Sequence, residues 1–204
     1  MNFFGHAVVA CRVSDDPAFL LGAMAPDLLP LCGAVPSGET SPAVTAGQAH
    51  HLSVDAAFHA NPAFTRVYAW AARDLVERGL PRGGARGAAH VGIELLLDGL
   101  LASDTTARDA YARSLAEAEG ARSPFLWRDE SSQRRWSELI VRLRAGAVPD
   151  AYRDLDFVAA RVLGALRHRP RLAIAHADAP TLRAFLPSLA ARVASERDAL
   201  VNRP

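Results

Sequence analysis

His51, Asp55 and His59 follow one another at steps of four residues, and so do His90, Glu94 and Asp98. On an α-helix a step of four returns a side chain to the same face, so each set forms one stripe, whereas in a strand a step of four lies some 13 Å along the chain. Two helices facing each other could therefore present imidazole and carboxylate groups into one cavity, as carboxylate-bridged metal centres in helical bundles do. The flanking residues agree with this geometry. Val91, Leu95, Leu96 and Leu100 recur on a different face from His90, Glu94 and Asp98, which leaves an apolar side for a core.

Composition points the same way. Half of the 204 residues are hydrophobic but only 7% are aromatic, and Ala and Leu dominate, which favours helix packing over sheet. The reading is an all-α fold with few strands, a single-domain helical bundle over 1–204 in which 1–103 carries a metal site and 104–204 covers it. Helices are expected near 1–13, 18–24, 43–57, 62–78, 86–102, 104–118, 130–145, 150–167 and 179–199. Ser14-Asp15-Asp16-Pro17 is a helix start. Ala25-Pro26-Asp27 is expected to interrupt the second helix, because proline disfavours helical geometry in the residue before it. Pro30 to Pro42 reads as a loop, and breaks are expected at Gly79, Gly83-Gly84, Gly120 to Pro124, Gly146 to Pro149 and Arg169-Pro170.

The formal charge of +1 leaves no global footprint for nucleic acid or an anionic membrane. All 23 basic side chains are arginine. Eight of those after residue 130 (Arg134, Arg135, Arg142, Arg144, Arg161, Arg167, Arg169 and Arg171) make this half locally basic and read as solvated helix faces, with an acidic partner as the alternative. Cys11 and Cys32 lack metal or redox spacing, no apolar run approaches the roughly 20 residues of a membrane span, and no signal-peptide pattern opens the chain. The expectation is a soluble cytoplasmic protein that does not bind nucleic acid and that could form a homodimer.

Five of the seven histidines fall in the first 90 residues. Several carboxylates converging with them would repel one another and shift toward protonation unless a cation balances them. Mixed nitrogen and oxygen donors suit manganese, zinc or iron better than calcium. The expected ligands of one or two divalent ions are His6, Asp27, His51, Asp55, His90, Glu94 and Asp98. Asp55, Asp98 and Glu94 are the candidate catalytic carboxylates. His50, about 100° around the helix from His51, and His59, just before the Asn61-Pro62 stop, are candidates for touching substrate; the alternatives are a supporting or surface place for His50, and for His59 a metal ligand or a side chain at a frayed helix end. His168 and His176 lie among Arg and Pro and read as exposed. No nucleophile elbow and no Gly-rich phosphate loop occurs.

The order of Met1-Asn2-Phe3-Phe4-Gly5-His6, Leu21-Gly22-Ala23-Met24-Ala25-Pro26-Asp27, His51 to Asp55 and Gly92-Ile93-Glu94 to Asp98 resembles the acyl carrier protein phosphodiesterase family, which is related to HD-type metal-dependent phosphohydrolases. The likeness covers roughly the first hundred residues. It implies an HD-like helical architecture, a divalent metal such as manganese, and hydrolysis of the phosphodiester joining phosphopantetheine to a carrier-protein serine. The matching positions are His6, Asp27, His51, Asp55 and Asp98, with Glu94 where the family tends to have Asp. The departures are His59 where an Asp is expected, Gly99 in place of a His and Leu52 in place of an Arg. The Ala-Pro-Asp phrase also resembles one in zinc-dependent phospholipase C-like proteins. The expected function is metal-dependent phosphoester hydrolysis, with a substrate that could be carried on acyl carrier protein. The alternative is a non-catalytic helical metal-binding or interaction protein that keeps the fold without the activity.

Overall fold

A computed structural model describes residues 1–119, 123–146 and 148–201. The chain is all-α. Its elements are α1 (Phe3–Ala10), α2 (Pro17–Cys32), β1 (Pro36–Glu39), α3 (Pro42–Ala60), α4 (Pro62–Glu77), α5 (Arg82–Leu101), α6 (Thr105–Glu117), β2 (Phe125–Trp127), α7 (Glu130–Ala145), α8 (Leu155–Leu166), α9 (Ala179–Ser195) and α10 (Arg197–Val201), with 3-10 turns at Asp150–Arg153 and His176–Asp178. Five helix starts use a short acidic or amide side chain to hold an otherwise unpaired N-terminal amide. Asp16 accepts from Ala18 N, Asn61 from Ala63 N, Asp104 from Ala107 N, Asp129 from Ser132 N, and Asp154 from Asp156 N and Phe157 N.

Two compact units are distinguished. The first gathers Met1–Ala56 and Leu101–Val148, and the second gathers Ala57–Leu100 and the chain from Pro149 on, so residues 1–103 contribute to both. In the first unit α1 packs on α2 and α6, and α7 packs on α2 and α6. Its core contains Phe3 and Phe4 against Tyr111, and Trp136 beneath Phe125 and Trp127. In the second unit α9 packs on α4 and α8, with Trp70 against Phe185 and α10 closing on α4 through the Asn61 amide, which donates to Ala199 O.

Two expectations are corrected. Helix α2 does not break at Ala25-Pro26-Asp27 but runs to Cys32 with Pro26 and Pro30 inside it, ending at Gly33 in the left-handed conformation (φ 63°). Each internal proline removes one backbone donor, yet Leu20 to Ala25 and Leu28 are fully buried, and that continuous apolar packing holds the helix through both. The expected loop from Pro30 to Pro42 contains the last turn of α2 and strand β1, which pairs antiparallel with β2. Strands this short, with exposed or half-buried residues in β1, carry no alternating pattern to read. Of the expected breaks, Gly120, Ala121, Arg122 and Ala147 lie outside the described residues.

Glycine sets how closely α3 lies on α2. A Cβ on Gly22 would sit 2.2 Å from Val44 O, and one on Gly47 would sit 2.1 Å from Phe19 O. The two helices thus touch backbone to backbone, one turn before His51.

Candidate metal-binding clusters

In the first unit that close crossing carries His51 onto α2, where its Nδ1 lies 2.9 Å from Ala23 O. A carbonyl only accepts, so Nδ1 carries the hydrogen and the neutral ring presents its Nε2 lone pair on the other side. Metal-ligating histidines are oriented in this way by a backbone carbonyl. His6, on α1, stacks on the His51 ring with centroids 3.8 Å apart, and both side chains are buried. His6 Nε2 lies 3.9 Å from Asp27 Oδ2 and 3.9 Å from Asp55 Oδ1. One donor atom each from His6, Asp27 and His51 can be chosen so that all lie within 4.8 Å of one another. Ligands of a tetrahedral zinc-sized ion are about 3.3 Å apart, so side-chain closure of up to about 1.5 Å would make this a binding set. Asp27 reaches the cluster because α2 continues past Pro26; a break there would have released it. Asp55 stands beside the set, 37% exposed, with the Met1 amino group 3.5 Å from its Oδ1. His50, expected to touch substrate, packs against Phe19 with centroids 5.4 Å apart.

The second unit holds a tighter cluster. His59 Nε2 lies 3.1 Å from His90 Nε2 and 3.2 Å from Glu94 Oε1, and His90 Nε2 lies 3.1 Å from the same oxygen. Three donor atoms thus form a nearly equilateral triangle. Hydrogen bonds alone do not satisfy all three edges. If both Nε2 atoms carry hydrogens, two donors face each other; if only one does, a nitrogen lone pair faces the carboxylate oxygen. A cation among them satisfies all three at once, and a tetrahedral ion with ligands about 2.0 Å away separates them by about 3.3 Å. The residues present therefore fit a divalent metal. Burial pushes the Glu94 carboxyl up, but hydrogen bonds from His59 and His90 outweigh it and hold the group well below the usual carboxylate range.

Aromatic edges fix the two rings of that triangle. Phe64 meets His59 at 86° and His90 at 80°, Phe58 meets His59 at 74°, and Tyr68 meets His90 at 86°. His59 thereby lies among the donor atoms of the cluster rather than at a frayed helix end. Its signal was present in the 51, 55, 59 stripe, and the Asn61-Pro62 stop obscured it. Asp98 is fully buried on α5. Gly99 has no room for the histidine that the resemblance expects, since a Cβ there would sit 2.5 Å from Tyr152 O. Leu52, in place of the expected arginine, is 68% exposed. His168 and His176 are exposed, and Arg167 Nε donates to His168 Nε2.

No protein-family model matches the chain, and neither a curated protein nor a solved structure does. No helix among the described residues is long and apolar enough to cross a membrane.

Proposed function

We propose that the protein is a divalent-metal-dependent phosphoester hydrolase. The observation that carries this reading is the His59, His90 and Glu94 triangle, whose sides of 3.1 to 3.2 Å suit a bound cation. His6, Asp27 and His51 would hold a second ion. Zinc or manganese fits donors of this mixed type. When bound, such an ion supplies Lewis acidity toward a phosphoryl oxygen and makes water a nucleophile near neutral pH.

The chain's own side chains have separable tasks. His51 is held in one tautomer by Ala23 O, so its Nε2 is ready as a donor without reorganisation. Glu94 stays ionised at neutral pH and serves as a ligand rather than as an acid. Asp55, beside His6 and next to the Met1 amino group, is the carboxylate that would take a proton from a water at the first cluster. The water oxygen would bond to phosphorus while its proton passes to Asp55, the phosphorus–ester oxygen bond would break, and the departing oxygen would take up a proton from solvent water. An HD-like architecture is the finer part of this proposal, supported by the order of the motifs in the first hundred residues.

Hydrolysis of bis(p-nitrophenyl) phosphate with added manganese or zinc tests the reading. Metal-dependent turnover, lost in His51→Ala and lowered roughly a hundredfold in Asp55→Asn, supports it. Metal uptake without turnover of any phosphoester supports a second reading, a metal-binding protein that has lost catalysis. That reading is favoured by Gly99, where the backbone of Tyr152 fills the place of the expected histidine.

A further inference from the structure

The second unit contains a cavity of about 480 Å³ with a character of its own. Arg86, Arg169 and Arg171 line it together with Tyr68 and His90, and none of its lining residues is Asp or Glu. Among the described residues no carboxylate forms an ion pair with any of the three guanidinium groups. Arg86 Nε donates to the Tyr68 hydroxyl, which aims this side chain.

The chain builds this concentration of charge rather than merely exposing it. A Cβ on Gly83 would sit 1.8 Å from Arg171 O, and one on Gly87 would sit 2.9 Å from Leu166 Cδ2. Both glycines let the segment after α8 lie directly on α5. A tight turn then fixes that segment, with Leu172 N and Ala173 N both donating to Arg169 O. Arg169 and Arg171 flank Pro170 and share the lining of the cavity with Arg86. Three cations gathered without a carboxylate repel one another, and an anion with several oxygens relieves that repulsion while accepting forked hydrogen bonds.

We propose that this cavity is the subsite for a phosphate group of a small-molecule substrate, gripped by Arg86, Arg169 and Arg171 next to the metal ligand His90. The inference rests on the hydrolase reading and names the substrate class: a small phosphorylated molecule whose anionic group enters here, with Leu166, Leu172 and Tyr68 against its less polar part. The volume lies within the roughly 300 to 1,000 Å³ of small-molecule sites.

The test is a titration of the full chain with inorganic phosphate after chelation of metal. It is read by calorimetry and by the arginine Nε–H resonances. Saturable binding that shifts resonances of Arg86, Arg169 and Arg171, and that weakens about tenfold or more in R169A/R171A, is expected. Both substituted side chains are exposed, so circular dichroism should be unchanged. Gly83→Ala, which keeps every charge but displaces the Arg171 backbone, should weaken binding as well. Absence of saturable binding without metal overturns the proposal, as does equal binding in R169A/R171A. Phosphate binding here without hydrolysis of any phosphoester keeps the subsite and removes the hydrolase. Turnover with KM unchanged in R169A/R171A keeps the hydrolase and removes the subsite.

Discussion

The Nε2 atoms of His59 and His90 lie 3.1 Å apart and both lie within 3.2 Å of Glu94 Oε1, a triangle that matches the ligand spacing of a tetrahedral divalent ion. The contact joins the last turn of α3 to the third turn of α5, and Glu94 stands one turn further along the same face of α5. Zinc at a hundred times its dissociation constant should stabilise the chain by about 2.7 kcal/mol. For a chain of this size that raises Tm by roughly 5 to 10 °C. In His59→Ala and Glu94→Ala the zinc-induced rise should shrink by more than half, as differential scanning fluorimetry can check.

Glu94 also gives the metal-free protein a pH signature. Its carboxyl is held well below its usual range in the folded state, by hydrogen bonds from His59 and His90 that outweigh burial. A depressed folded-state pKa contributes stability that is present above the unfolded value near 4.3 and is lost as pH falls through the folded one. Urea denaturation of the metal-free protein should therefore lose stability on going below about pH 4.3, and Glu94→Gln should flatten that slope.

The contact between α2 and α3 leaves no space for a methyl group. Gly47→Ala places Cβ against Phe19 O, with backbone on both sides and no flexible side chain to give way. It should cost about 3 kcal/mol and lower Tm by roughly 6 to 12 °C. Because the same crossing seats His51 on Ala23 O, the variant should also bind metal more weakly, whereas Gly164→Ala, with open space around it, should change neither property.

The helices and the stripes were legible in the sequence, while the grouping of ligands was not. Steps of four fixed which side chains share a face, since that follows from 3.6 residues per turn. Which stripes meet depends on helix crossings, and those depend on Gly22 and Gly47, whose role emerges only when the opposing backbone is known. Pro26 and Pro30 looked like breaks because the local cost of a helical proline is visible in sequence and the burial that offsets it is not. His59 looked terminal because Asn61-Pro62 follows it, yet Asn61 caps α4 while α3 runs to Ala60, which keeps His59 inside a helical turn.

Cys11 is a probe of the first unit that is independent of metal. Burial and the nearby Asp104 carboxylate push its thiol up. Since the thiolate is the reactive form, Cys11 should be alkylated slowly at neutral pH, and Asp104→Asn should speed the reaction. Mass-spectrometric time courses of iodoacetamide labelling report both.

The central claim is that these histidines and carboxylates are metal ligands, and elemental analysis of the full chain tests it most directly. The protein is purified without chelator or affinity-column metal and then reconstituted with zinc or manganese. The account predicts at least one equivalent of tightly held ion, reduced in Glu94→Ala and in His51→Ala. A chain that takes up no metal, or the same amount in both variants as in the unsubstituted protein, would contradict it.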